Sequence, residues 1–361
     1  MTTTKRTALT VLAALALLAP AAADGSWTIK GHGFGHGVGL SQYGAFGFAE
    51  HGRNYRQIIS HYFVHTKLGR NAGSVRVLLG SGQGTVGFTG AGKACGRGLD
   101  QRDDYTFGVE SGDVVLRKQG GGRVASCGAE GKASSGIEVD GFGRYRGSLV
   151  ARATGGNILV INQLGSEAYV KGVVPNEVPF SWPAAALQAQ AVVARSYGLA
   201  TDIDGPFDQY ADTRSQVYGG RDSETKQTNR AVSATAKEVV TYRGDPAVTY
   251  YFSTSGGQTE NAEFGFSGGD PVPYLKSVDD PFDDASPVHD WTERLSDDQI
   301  ESKLSGLFDG KLKEIKVLKT GESPRIVSAR VIGSSGSSNV SGDTLRSRLG
   351  LRSTWARFFH R

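Results

Sequence analysis

Hydrophobic positions follow one rule from residue 74 to about residue 163 and another from residue 184 onward. In the first stretch, short aliphatic runs at 75–79, 113–117, 136–140 and 157–161 sit between glycines and predict an all-β region. In the second, Ala184, Leu187, Ala191, Ala194 and Gly198 fall on one face of a helix over 184–200, with Pro183 suited to its first turn. Side chains this small predict close packing against something flat, such as a sheet. A further helix is expected over 222–238, followed by strands at 239–242 and 247–253, a tight turn at 255–257 and a strand-like segment at 273–278. Ser41 and Asn54 are suited to cap two short helices before residue 63, and Ser296 with Gln299 has the form of a capping box. Residues 315–318 and 326–332 read as a β pair, and 343–349 as a last short helix ended by Gly350. The fold class is therefore α+β.

Composition narrows the picture. The chain has 361 residues, 51 of them glycine, which favours turns and β structure over long helices. A net charge of +4 does not imply nucleic acid, and suits approach to an anionic surface or polymer. Residues 1–23 have the form of a secretory signal: Lys5 and Arg6, an apolar run over 8–18, and small residues at 21–23 before Asp24. A secreted, extracytoplasmic protein cleaved near Ala23 is expected. Cys95 and Cys127 are the two cysteines, and in an exported protein a disulfide between them is the natural pairing.

Chemistry concentrates around Glu177. It lies between Pro175 and Pro179, with Val173, Val174, Val178, Phe180 and Trp182 nearby in sequence. A carboxyl group on a stiff turn among apolar side chains is poorly solvated, which raises its pKa and suits it to act as a general acid. The plainer alternative is a surface turn residue. If Glu177 faces the N-terminus of the helix that follows, the helix dipole opposes the rise. Arg195 sits at the edge of the small-residue face, placed to reach a groove; the alternatives are an exposed helix arginine or a structural salt bridge. Tyr274 and Lys276 alternate, so on a strand they share a face: a ring to stack on a sugar and a cation for a carboxylate, or a half-buried tyrosine beside a solvated lysine. The glycine-rich run GHGFGHGVG at 31–39 makes a helical zinc pair of His32 and His36 a poor reading. His36, Gln42 and Tyr43 are candidate groove-lining groups, and a packed turn that needs glycine is the alternative. Ser253 and Ser255 lack a nucleophile-elbow frame and are expected to donate hydrogen bonds at a groove wall. The arginines at 346, 348, 352, 357 and 361 form a basic face.

Several blocks together resemble the SpoIID/LytB family, which includes the stage II sporulation protein D and amidase-enhancer proteins. They are YVKGVVPNEVP at 169–179, SWPAAALQAQAVVARSY at 181–197, DTRSQVYG at 212–219, FSTSGG at 252–257, PYLKSVDD at 273–280, LGLRST at 349–354 and GHGVGLSQYGA at 35–45. The resemblance implies a SpoIID-like catalytic domain with a curved sheet and packed helices, over 164–361 and completed by a Gly/His-rich block at 24–73. A β-rich subdomain over 74–163 is inserted between them. It implies a cell-wall-associated lytic transglycosylase acting on peptidoglycan glycan strands stripped of stem peptides. Glu177 falls on the family's catalytic glutamate, Arg195 on its supporting arginine, and Tyr274 with Lys276 on its Tyr-x-Lys pair. Two departures stand out. The Gly-His-Gly block precedes the others, whereas the family places it near the C-terminus, as in a circular permutation. Residues 27–29 should then lie beside residues 355–359. Some relatives carry a cysteine- and histidine-bound zinc near the groove, and residues 210–216 contain neither residue type, so no metal or other cofactor is expected there.

A transglycosylase needs one essential carboxyl group, because the sugar's own 6-hydroxyl takes the place of water; hydrolysis needs a second. Asp208, Asp212 and Glu260 are candidates for such a partner and lack comparable framing. The rival readings are a non-catalytic enhancer that binds a cell-wall amidase and a carbohydrate-binding module.

Overall fold

The computed structural model describes residues 25–361 apart from Ser135 and Ser267, so the signal segment expected over 1–23 lies outside the described residues. The fold is mixed α+β. Helices α1 (Gln42–Glu50), α2 (Tyr55–Tyr62), α3 (Ser166–Glu177), α4 (Ala184–Ala200), α5 (Lys226–Ala234), α6 (Ala262–Gly265), α7 (Asp297–Lys303) and α8 (Gly342–Leu349) accompany sheets of two to seven strands. No helix among the described residues is long and apolar enough to cross a membrane.

The β-rich region forms two antiparallel sheets, each with crossovers in its strand order, that share one core. The inner strands of one sheet, Thr85–Thr89, Tyr105–Glu110 and Asp113–Lys118, turn Phe88, Phe107 and Leu116 inward. The other sheet, built on Ser74–Gln83, Ser148–Thr154 and Asn157–Gly165, contributes Val75, Val77, Leu149, Ala151 and Val160. Cys95 and Cys127 are bonded, with Cα atoms 5.4 Å apart. The same core continues through Tyr169, Val170 and Val173 of α3 and Leu187, Ala191 and Ala194 of α4.

Helix α4 is the element around which the rest is arranged. Its other side, Ala189, Val192 and Val193, belongs to a second core with α1, α2 and Tyr274. A helix buried on two sides needs small residues all round, which explains the alanine run. Its principal neighbours are α1, α2, α3 and α5, together with the strand Glu238–Tyr242. The expected flat partner is therefore mostly a ring of helices.

A third core holds the two ends of the described chain together. The first strand, Ser26–His32, lies between Asp290–Ser296 and Ala356–His360, antiparallel to both. Trp27, Thr28 and Ile29 pair with His360, Phe359 and Phe358, the juxtaposition that a permuted order requires. Trp27 stacks on His360 at 4.5 Å between ring centroids.

Local signals were obeyed where capping or period was strong. Ser41 and Asn54 cap α1 and α2, the latter in a capping box. Helix α7 starts from the Ser296–Gln299 box, α4 has the expected bounds, and Gly350 ends α8 at φ 75°. Three expectations changed. The helix expected over 222–238 shortens to Lys226–Ala234, capped by Thr225, after a separate 3-10 turn at Gly220–Ser223. Of residues 247–253 only Tyr251–Phe252 pairs in a sheet, parallel to Leu40–Ser41. Residues 273–278 are a turn and an extended segment outside any sheet, so strand alternation does not govern Tyr274 and Lys276.

Candidate functional site

Glu177 is the last residue of α3, and not part of a free turn. Helix α3 tolerates Pro175 in its last turn and breaks at Val178, whose backbone is extended. The carbonyl end of a helix disfavours a carboxylate, so the local dipole supports a raised pKa, the reverse of the opposition considered from sequence.

The side chain faces a cavity of about 520 Å³, the size of a small-ligand site. Its walls come mainly from five places. Phe34, Gly35 and His36 belong to the glycine-rich loop; Gln42 opens α1; Tyr197 is on α4; and Tyr250 to Ser253 run along the strand beside Leu40–Ser41. Residues Thr213, Arg214, Ser215 and Val217 close it from the loop before Tyr218. Gly39 allows the glycine-rich loop to approach this wall: its φ is +79°, and a Cβ there would lie 2.2 Å from the Tyr250 carbonyl oxygen.

Glu177 is held by two donors. The Val217 N–H donates to its Oε1 at 2.9 Å, and the Tyr251 hydroxyl also hydrogen-bonds it. Behind them runs a buried relay: Tyr169 donates to Gln216 Oε1 at 2.9 Å, and Gln216 Nε2 donates to the Tyr251 oxygen at 3.0 Å. With that oxygen occupied, the Tyr251 proton is directed at Glu177. Burial raises the Glu177 pKa, and the bonds from Val217 and Tyr251 restrain the rise. Tyr251 is itself pushed well above the usual phenol range by burial and by the Glu177 charge. Of the apolar neighbours in sequence, Val173, Val174 and Val178 are buried, and the two aromatic ones turn elsewhere. Phe180 is 52% exposed, and Trp182 packs against Tyr43 and Phe46 beside a separate groove.

The other expected site residues divide. His36, Gln42 and Ser253 line the cavity. His36 Nε2 meets the Tyr251 carbonyl oxygen at 3.1 Å and Nδ1 accepts from Val38 N–H, and burial lowers its pKa to about 4, so the ring is neutral at neutral pH. Gln42 Nε2 donates to the Glu177 carbonyl at 3.3 Å. Tyr43 stands behind the wall, edge-on to Trp182 at 5.1 Å.

Arg195 does not reach the cavity. It is fully buried and forms a bidentate pair with Glu167 at 2.7 and 3.0 Å, while also donating to the carbonyls of Glu238 and Val232. Its place one turn from Ala191 on an all-round buried helix leaves it no route to the groove. Tyr274 is a core residue whose oxygen accepts from Val248 N–H, and Lys276 pairs with Glu263 at 3.1 Å. Ser255 is buried and donates to Asp283 at 2.7 Å, away from the cavity.

Among the described residues lining the cavity, Glu177 is the sole carboxylate. The candidates for a second are engaged elsewhere. Asp208 pairs with Arg76, and Glu260 is buried with Ser323 and the N–H groups of Asn261 and Glu322. Asp212 is chelated by Arg214, which holds its pKa down at about 2. Sequence reasoning missed Tyr197, Tyr250, Tyr251, Phe252 and Arg214. Arg214 lies within the DTRSQVYG block; its guanidinium stacks 3.7 Å above the Tyr210 ring and keeps most of its surface in solvent.

Part of the chain is similar to known proteins. Residues 154–242 match the SpoIID family model, described as stage II sporulation protein, a span that contains α3, Glu177 and α4. The chain is 31% identical over 213 residues to stage II sporulation protein D of Bacillus subtilis, covering 54% of this chain and 60% of that protein. It is 34% identical over 203 residues to an uncharacterised protein of Brachyspira hyodysenteriae, covering 55% and 52%. Over 134 residues it is 40% identical to the amidase enhancer of Bacillus subtilis, covering 37% and 18%. The chain thus spans at most three fifths of the length of these relatives.

Proposed function

From the premise that residues 154–242 are a SpoIID domain, we propose that this protein acts on the bacterial cell wall outside the cytoplasmic membrane, cleaving peptidoglycan glycan strands by lytic transglycosylation. One observation carries the reading: a single carboxyl group, raised in pKa by burial, stands in a cavity walled by aromatic rings and bare of a second carboxylate.

The steps follow from that inventory. Protonated Glu177 donates to the glycosidic oxygen, and the bond breaks toward an oxocarbenium-like centre. The carboxylate then removes the proton from the sugar's 6-hydroxyl, whose oxygen closes on the anomeric carbon. The product is an anhydro-sugar, and no water is consumed. Hydrolysis would place a second carboxylate across the scissile bond. The rings of Phe34, Tyr197, Tyr250 and Phe252 supply apolar faces for sugars, and Arg214 supplies a cation for a lactyl carboxylate.

Mass spectrometry of products from purified, peptide-free strands tests this. Anhydro-ended fragments are expected. Reducing-end fragments would mean hydrolysis. Intact strands would favour the second reading, a partner that enhances a cell-wall amidase, which the likeness to the amidase enhancer supports. Glu177→Gln is expected to lower cleavage by about 100-fold or more while leaving strand binding within a few-fold, as loss of a general acid does. Full cleavage by that variant would remove Glu177 from the role.

A further inference from the structure

On the far side of the glycine-rich loop, two histidines and an aspartate converge from parts of the chain more than 250 residues apart. His32 ends the first strand and is paired in register with Asp290, and His289 immediately precedes Asp290. One ligand-competent atom from each of the three lies within 4.8 Å of the other two. His32 Nδ1 stands 2.7 Å from the Asp290 carboxylate.

The most informative group lies behind this cluster. Asp283 is fully buried, and its carboxylate oxygens receive the Ser255 hydroxyl at 2.7 Å, the Gly256 N–H at 2.6 Å and His289 Nδ1 at 2.8 Å. A carboxylate accepts and cannot donate, so His289 carries a proton on Nδ1, which leaves Nε2 as the nitrogen for a ligand. A buried carboxylate that fixes the tautomer and angle of an imidazole is the arrangement that backs metal-ligating histidines. Backbone contacts hold the rest: His289 O accepts from Gly33 N–H at 2.9 Å, and His32 O accepts from the Ser353 hydroxyl at 2.6 Å.

We propose that His32, His289 and Asp290 form a binding site for a borderline divalent cation of the Zn²⁺ class, with solvent as the fourth ligand. Two imidazoles and a carboxylate are the donor set such ions favour. Donors about 2 Å from a shared ion lie within about 4 Å of each other, so the cluster must tighten slightly. The side chains free to do so are half-exposed His32 and largely exposed Asp290, while His289 is already fixed. Asp290 keeps 72% of its side chain in solvent, which leaves room for a water. The ion would tie the start of the glycine-rich loop to residues 283–290. Phe34, Gly35 and His36, a few residues on, form one wall of the Glu177 cavity.

Zn²⁺ titrated by calorimetry into chelator-stripped protein tests the site. Saturation at one ion per chain is expected, with His32→Gln and His289→Gln each weakening it at least tenfold. Asp283→Asn, which touches no ion, should weaken it about 10–100-fold. His61→Gln, a histidine on α2 outside the cluster, should leave it unchanged. Zn²⁺ should also raise the melting temperature of the wild type, and should not raise that of His32→Gln. Absence of saturable binding, or wild-type affinity in His32→Gln and Asp290→Asn, overturns the proposal. Both of those positions are solvent-accessible, so these two variants decide the matter even where His289→Gln or Asp283→Asn fails to fold.

Discussion

Glu177 shows how one side chain is tuned by opposed effects. Burial and the carbonyl end of α3 favour its neutral form, and the donors Val217 N–H and Tyr251 O–H favour its charged form. Tyr251→Phe removes one donor and is expected to raise the Glu177 pKa further. A general acid is lost when it deprotonates, so the alkaline fall of cleavage should move to higher pH in Tyr251→Phe; a pH–rate profile reads this directly. An alkaline limb that stays put would show that Tyr251 does not act on Glu177. The same raised pKa has a stability consequence with a definite sign. Ionisation is harder in the folded protein than in the unfolded chain, so stability is greatest below the unfolded value near 4.5 and falls as pH rises through the folded value. At this scale the sequence disclosed the direction of the shift and its cause, burial, but not all of the groups that bury it. Pro175 and Pro179 suggested a free turn, whereas Glu177 ends a helix; Val173, Val174 and Val178 are buried beside it, and the rings that line the cavity, Phe34, Tyr250 and Phe252, come from far away in the chain. Nothing local announces which distant ring will fill a cavity.

Among elements, α4 links two cores and fixes α3 through a buried charge pair. Arg195 on α4 holds Glu167 in the first turn of α3, and α3 ends in Glu177, so the pair sets the angle of the helix that carries the acid. Arg195→Met is expected to cost about 3–5 kcal/mol, the usual effect of breaking a buried pair from one side. The value should fall toward the lower end because Glu167 keeps a third of its side chain in solvent and also accepts from Lys237 N–H. Denaturant unfolding measures this, and a loss below about 1 kcal/mol would show the pair to be dispensable. The alkaline limit of cleavage should not move, since Arg195 does not touch Glu177. Element boundaries were legible where a cap or a full helical period existed, as at Ser41, Asn54, Ser296 and Gly350. They were not legible at α3, where Gly172 and Pro175 weaken the local helical signal and packing against Tyr218 and α4 overrides it. They failed again at 273–278, where alternation matched a strand but Tyr274 and Leu275 are held in a helical core.

For the whole molecule, the β-rich region shares one continuous core with α3, α4 and α5, so these parts should unfold together. The Cys95–Cys127 bond lies in the β-rich part and spans 32 positions. Replacing both cysteines with serine is expected to lower stability by about 2–4 kcal/mol through the freed unfolded chain. Because no cavity residue lies between 95 and 127, folded protein should still bind glycan strands. Hydrogen exchange showing the β-rich strands opening at a free energy different from that of α3 and α4 would contradict the shared core. The first strand has the longest reach of any element. Its partners on either side are Asp290–Ser296 and Ala356–His360, more than 250 residues later. A polypeptide that emerges N-terminus first therefore carries Trp27 and Ile29 unpaired until residues 290–296 have been made, and lacks the second partner strand until residue 360. Closure of the molecule is a late, slow event that depends on contacts of very high sequence separation. A chaperone that holds this segment in the interval would speed recovery of native protein, and a ribosome-tethered fragment ending before residue 290 would present it unpaired.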